Sequence, residues 1–426
     1  MRTILWAVAT LVAARTLAAQ STAPHPLQPL TLAEARARAR QTSPELVSAR
    51  EAVAAAAGRE RQVGAWPNPT LGFSREQTSR AGEKNSQNIL SLEQRLEIGG
   101  VRGARKETAR LEREAVEARL VAVIARVDYD VARGYAAAVA AQRRASLAEE
   151  AAAAFGTARR VSQARLAGGD VSGYQHRRLL LEATRYATLR SEALVSRDSA
   201  LRTLSLLLGD SVLTADSAGA SRVGPAFLTD TLLPRALVLP RDSLAEASLR
   251  TRPDLLAARL DARAAAASAR VARAERIPSP AVSGGFKSER LATGQTLNGF
   301  VAGVSIPLPL WDRRAGAIAA AEADARRLDA TLEGARRMTR REIADAYASH
   351  QSLAAQLAEL QGRLGEDAAA ARRAAQVAYA EGEISLLEWL DSVRAYQEAE
   401  STYVTLWSEY VTRRAALERL TGLSLF

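Results

Sequence analysis

Trp66-Pro67-Asn68-Pro69 opens an alternating run, Thr70-Leu71-Gly72-Phe73-Ser74-Arg75-Glu76-Gln77, between two long helical patterns. The arrangement occurs twice. Ile277-Pro278-Ser279-Pro280 precedes a second alternating run at 281–289, again between helical patterns. A Pro-x-Pro step forces extended chain, because each proline disfavours helix for the residue before it. Alternation of apolar and polar residues then predicts a strand with one apolar face.

Working outward, other segments recur in the same order. Leu32-Ala33-Glu34-Ala35 returns as Leu244-Ala245-Glu246-Ala247, and Ser43-Pro44-Glu45-Leu46 as Arg252-Pro253-Asp254-Leu255. Gln94-Arg95-Leu96 matches Ile306-Pro307-Leu308, and Gly169-Asp170-Val171-Ser172 matches Gly382-Glu383-Ile384-Ser385. The spacings, between 209 and 213, make the chain two copies of one unit of about 210 residues. The predicted organisation is a signal peptide at 1–19, a first repeat at 20–210, a linker at 211–240 and a second repeat at 241–426. The linker is rich in Gly, Pro, Ser and Asp. The signal reading rests on Arg2, an apolar run at 3–14 and small residues near Ala18 and Ala19.

Each unit is expected to begin with a helix of about 30 residues, at 32–63 and 244–276. Thr31 and Ser243 stand at N-cap positions, with Glu34 and Glu246 at capping-box spacing. Strands are expected at 70–77, 88–97, 281–289 and 297–308, joined by polar loops. Val304 is placed at a strand centre on the lipid side, with Ser305 facing inward. Long helices follow at 102–167 and 314–380, each ~100 Å at 1.5 Å per residue. Leu120, Ile124, Val127 and Val131, then Leu353, Leu357, Leu360 and Leu364, keep coiled-coil spacing. After a Gly-containing turn, return helices are expected at 173–208 and 386–420.

The fold class is therefore mainly α with a small β part: long coiled-coil helices plus four membrane strands per chain. Aromatics at 5% are too few for the girdles of a single-chain barrel. Four strands cannot close a barrel, and open edges are not tolerated in lipid. Two chains would supply eight strands and a lumen filled by side chains. Three would supply a 12-stranded β-barrel and six repeats around one axis, a hollow trimer.

The net charge of +11 comes almost wholly from Arg. With no compact basic block interleaved with aromatics, it reads as solvated helix faces rather than a nucleic-acid surface. Cys is absent, which removes thiolate sites. His25, His176 and His350 have no ligand partners at helical spacing, so each reads as a surface or packing residue, with no metal site and no cofactor. No catalytic constellation or nucleotide-binding Gly-rich loop appears, and the chain is not read as an enzyme.

The proline steps, the Leu96-Glu97-Ile98-Gly99-Gly100 exit and Ser305-Ile306-Pro307-Leu308-Pro309-Leu310 resemble the outer membrane efflux proteins of the TolC class. Arg165-Leu166-Ala167-Gly168-Gly169-Asp170-Val171-Ser172 is similar to that family's periplasmic tip motif. Gly382-Glu383-Ile384-Ser385 is its second copy, without the Arg-Leu pair. The resemblance implies a homotrimeric duct in the outer membrane of a Gram-negative-type envelope, with its helical barrel in the periplasm. Its partners would be outer membrane lipid, a periplasmic adaptor and a proton-driven inner-membrane pump. Tips at Arg165, Leu166, Gly169, Ser172, Gly382 and Ser385 would dock the adaptor. Glu388 and Asp391 resemble acidic residues that narrow the periplasmic entrance. The competing reading, a periplasmic adaptor or coiled-coil scaffold, gives no reason for four bilayer-length strands at duplicated positions.

Overall fold

The computed structural model describes residues 30–80, 83–209 and 241–423. The signal peptide and the linker expected from the sequence lie outside the described residues, as does His25. The first repeat comprises α1 (Leu32–Thr42), α2 (Pro44–Val63), β1 (Thr70–Arg80), β2 (Glu83–Arg95), α3 (Val101–Gly168) and α4 (Gly173–Leu208). The second follows the same order: α5 (Arg241–Thr251), α6 (Pro253–Ala274), β3 (Ala281–Arg290), β4 (Thr296–Ser305), α7 (Ala315–Glu381) and α8 (Leu386–Thr421).

The opening helix of each repeat is two helices, not one. Ser43 (φ −60°, ψ 120°) and Arg252 (φ −61°, ψ 118°) are extended because each precedes a proline. Pro44 and Pro253 then start α2 and α6, where a missing N–H costs nothing. Thr31 caps α1 as expected: its hydroxyl accepts from the Glu34 N–H, and the Glu34 carboxylate accepts from the Thr31 N–H at 2.9 Å. Ser243 does not cap. The helix already begins at Arg241, directly behind Pro240 in the sequence.

One antiparallel sheet holds all four strands in the order β1-β2-β3-β4. The repeats meet in its middle, where β2 pairs with β3. The polar segment expected as a loop is ladder instead: Thr78 pairs with Asn85 and Ser79 with Lys84. Backbone bonding continues there whatever the side chains. At the helix end β2 and β4 stop sooner than expected, at Arg95 and Ser305. Pro307 and Pro309 follow β4 and have no N–H to extend it.

The long helices carry the core. Val127 and Val131 of the predicted seam are buried with Tyr135, Leu204, Leu353, Leu357, Trp407 and Tyr410, while Leu120 and Ile124 pack at the margin. The buried Tyr135 hydroxyl donates to the Leu30 carbonyl at 2.9 Å, tying the chain ahead of α1 to α3. Higher up, Leu111, Ala115 and Ala118 of α3 meet Ala257, Leu260, Ala264 and Ala267 of α6. Much of the arginine sits at helix seams with acidic partners: Arg36–Glu418 at 2.7 Å, Arg143–Glu400 at 2.9 Å, Arg113–Glu60 at 2.6 Å. Arg113–Glu60 is partly open to solvent, which weakens such a pair to about 0–1 kcal/mol, whereas Arg36–Glu418 is largely buried.

His350 of α7 is buried beside Tyr410, ring centroids 4.8 Å apart. Neither ring nitrogen has a hydrogen-bond partner. Burial, with Arg414 nearby, pushes its pKa down to about 4. Between pH 6.5 and about 4 the unfolded chain binds a proton that the folded chain refuses, so stability falls on acidification through that window. The loss is expected to be about 1–3 kcal/mol, measured by thermal unfolding at several pH values. His350→Phe should flatten the dependence over this range; an unchanged slope would contradict the assignment.

Candidate tips and membrane strands

Each long helix is turned back by the same local device. Gly169 and Gly382 take the left-handed conformation, φ 85° and 88°, which only glycine adopts without strain. The Asp170 N–H reaches the Arg165 carbonyl at 2.9 Å, and the Gly382 N–H the Ala378 carbonyl at 2.9 Å, closing the helix ends. Three residues later Ser172 and Ser385 open the return helices. The Ser172 N–H donates to Gln175 Oε1 at 3.2 Å, and the Ser385 N–H donates to Glu388 Oε2 at 2.7 Å. The Gly-x-x-Ser spacing is therefore a stop signal and a start signal three residues apart.

The tip residues come together across the repeats. Arg165 donates to the Ala380 carbonyl at 3.0 Å and lies over the Tyr379 ring, 5.8 Å from its centroid. A Cβ on Gly382 would stand 2.6 Å from the Arg165 guanidinium and displace it from its place over the tip, while the φ of 88° is what requires glycine. Leu166, Ser172 and Ser385 stay at or near the surface.

Glu388 folds back onto the first turn of α8, and its hydrogen bond from the Ser385 N–H holds its carboxyl below the usual carboxylate range. Its counterpart Gln175 does the same work in the first repeat. Asp391 stands three residues on, exposed. The structure thus joins Glu388 to Ser385, and leaves Asp391 as the acidic side chain without a capping duty.

An aromatic cluster behind the tips is a feature the sequence reading missed. Phe155 stacks on Tyr186 at 4.3 Å, Trp389 meets Phe155 edge-on at 4.9 Å, and Tyr379 stacks on Trp389 at 5.2 Å. These four residues come from α3, α4, α7 and α8 and clamp the two hairpins together. Arg394–Glu182 at 2.8 Å bridges α8 to α4 beside them. A cavity of about 400 Å³ opens next to the cluster, lined by Val161, Arg373, Val377, Tyr379, Glu381 and Trp389. His176 is engaged locally, its Nδ1 3.0 Å from the Ser162 hydroxyl. Among the described residues no group of three or more His, Asp or Glu side chains could hold a metal ion.

At the other end, the strand register sorts the side chains. Leu71, Phe73, Leu90, Leu92, Val282, Phe286, Phe300 and Val304 share one face through the pairs Leu71–Leu92, Phe73–Leu90, Leu90–Phe286, Phe286–Phe300 and Val282–Val304. The opposite face carries Gly72, Ser74, Ser91, Glu93, Ser283, Lys287, Gly299 and Gly303. Val304 and Ser305 do point to opposite faces, but Val304 is the penultimate residue of β4 and not its centre. Phe300, 92% exposed, is the central apolar residue. Among the described residues, no helix is long and apolar enough to cross a membrane.

Residues 244–423 match the family model described as outer membrane efflux protein. The second repeat is an outer membrane efflux protein domain. The cobalt-zinc-cadmium resistance protein CzcC of Cupriavidus metallidurans is 25% identical over 92% of this chain and 90% of its own length. The solved channel-forming protein CusC superposes with a TM-score of 0.71 at 21% identity, covering 92% of both chains. The outer membrane protein VceC of Vibrio cholerae gives 0.70 at 21% identity, over 93% of this chain and 97% of its own. Both repeats are therefore laid out on the fold of these two solved proteins.

The clamp makes a direct prediction. Trp389→Ala removes the residue that touches both Phe155 and Tyr379 and is expected to cost about 3–5 kcal/mol. Limited proteolysis should then cut first near the tips. Undiminished protection of the tips would show that the hairpins are held elsewhere.

Proposed function

We propose that this chain is the outer membrane channel of a tripartite export system and that three copies close one β-barrel. The observation that carries this is the sheet. It has four strands, two edges without a partner among the described residues, and one face whose half nearest the helices is apolar and exposed. Exposed apolar area of that extent marks a surface made for lipid or a partner. Lipid demands that the edges pair, and 12 strands close without filling the lumen. The apolar face would meet lipid and the Gly/Ser/Lys/Glu face would line the channel. The long helices would extend the lumen into the periplasm, with energy supplied by an inner-membrane pump.

The paired tips at Arg165, Leu166, Gly169, Ser172, Gly382 and Ser385 are proposed to dock a periplasmic adaptor. The device supporting this reading is small and exposed, and the neighbouring cavity offers room for an apolar side chain. Asp391, with Glu388 behind it, is proposed to place acidic rings at the periplasmic entrance of the trimer. Cargo is proposed as divalent metal cations, on the strength of the resistance named for the Cupriavidus relative.

The experiment is complementation of a channel-deficient strain under cobalt, zinc and cadmium stress, with membrane fractionation in parallel. Trimers in the outer-membrane fraction and restored resistance are expected. Gly169→Arg/Gly382→Arg should leave trimers and abolish resistance; full resistance in that variant would refute docking at the tips. Phe300→Arg should cost about 2–4 kcal/mol per chain at the bilayer midplane, while Val301→Arg on the opposite face is tolerated. Equal tolerance would refute the assignment of faces.

A further inference from the structure

A second cavity, about 780 Å³, lies in the seam between α6 and α7. Arg259 and Arg263 line it from α6, Arg326 and Arg336 from α7. Its floor is small and apolar, alanines with the buried Leu332. Four guanidiniums face a single lining carboxylate, Asp329. Arg336 has an ion pair with Glu333, one turn away on its own helix. Arg259 donates to the Leu249 carbonyl at 3.1 Å, yet its buried Nε has no hydrogen-bond partner.

The first repeat shows what a neutral version of this seam looks like. There Arg113 of α3 pairs with Glu60 of α2 at 2.6 Å and also with Glu117. Counting back from the Gly169 and Gly382 turns, Arg113 corresponds to Arg326. Counting from Pro44 and Pro253, or from the helix ends, Glu60 corresponds to a position within Ala269, Arg270 and Val271, and none is acidic. The second seam has thus kept the arginine and lost its acid. Two ion pairs, Arg273–Glu322 at 2.6 Å and Arg252–Glu342 at 2.6 Å, staple α6 to α7 above and below the cavity. The groove between them is held open, and Asp329 with Glu333 compensates only part of the charge of its four arginines.

The geometry points to a binding site for a small polyanion, a molecule bearing two or more phosphate or carboxylate groups. Planar guanidinium forks match both groups bidentately. The volume lies in the range of small-molecule sites. A docked helix is the poorer fit, because the exposed lining offers alanines and no apolar pocket for anchors.

The test is isothermal titration of the full-length protein in detergent with tripolyphosphate and, separately, citrate. Saturable binding of either is expected, weaker at high salt because the arginines are partly exposed. Arg259→Gln/Arg326→Gln should weaken it about tenfold or more. Arg337→Gln/Arg341→Gln removes equal charge from the exposed side of α7 and should change little. Tighter binding of tripolyphosphate would identify a phosphorylated ligand, and of citrate a polycarboxylate. Absence of saturable binding, or equal weakening in both variants, would overturn the site. Arginine modification of the unsubstituted protein gives a second reading free of folding defects. Tripolyphosphate should protect Arg259 and Arg326 from phenylglyoxal and leave Arg337 reactive; uniform reactivity would also overturn it.

Discussion

A strand at the edge of a sheet leaves a row of N–H and C=O groups unpaired, and among the described residues β1 and β4 each have one neighbouring strand. In water such an edge is a liability; in hydrocarbon it is prohibitive. The rest of the molecule follows from this constraint. The sheet carries an exposed apolar patch on one face, while Lys287, Glu289 and Glu93 stand on the other. Under the proposed closure, another copy of the same sheet satisfies both edges at once.

Duplication supplies the geometry for that closure. Each repeat gives one strand pair and one helical hairpin, and β2–β3 pairing joins the repeats in the sheet. Below the sheet the same junction is made by α3 against α6, through Ala115, Ala118, Ala264 and Ala267. Small residues let these helix axes approach closely. At the far end the junction is made by aromatic stacking and by Arg165 reaching the second tip. One chain therefore carries in its middle, at three heights, a template for the contact that the proposed closure asks of its two outer edges.

Helix ends and strand faces were readable because their causes are local. The ends of α3, α4 and α7 fall within about a residue of expectation, since Gly169, Ser172 and Gly382 act through their own backbone and the adjacent turn. The breaks at Pro44 and Pro253 were equally local, and reading through them overvalued periodicity against the missing N–H. The polar hairpin end was misread because ladder bonding does not depend on side-chain polarity. The aromatic clamp carried no local signal. Phe155, Tyr186, Tyr379 and Trp389 lie on four helices, and packing between helices brings the pairs Phe155–Tyr186, Phe155–Trp389 and Tyr379–Trp389 to 5.2 Å or less. The role of Glu388 was half visible: the spacing Ser385-x-x-Glu388 is that of a capping box, the same pattern that marked Thr31 and Glu34.

Edge-to-edge closure can be measured directly, because the chain has no native cysteine. Phe73 on β1 and Phe300 on β4 lie on the same face of the sheet, one on each edge strand. Cysteines placed there in one chain, with Ala302→Cys and Val304→Cys as register alternatives to Phe300→Cys, are then oxidised in outer-membrane vesicles. Closure by three copies predicts that one register gives a ladder on denaturing gels ending at the trimer. Crosslinking only within the monomer, or a ladder that ends at the dimer in every register, would contradict it.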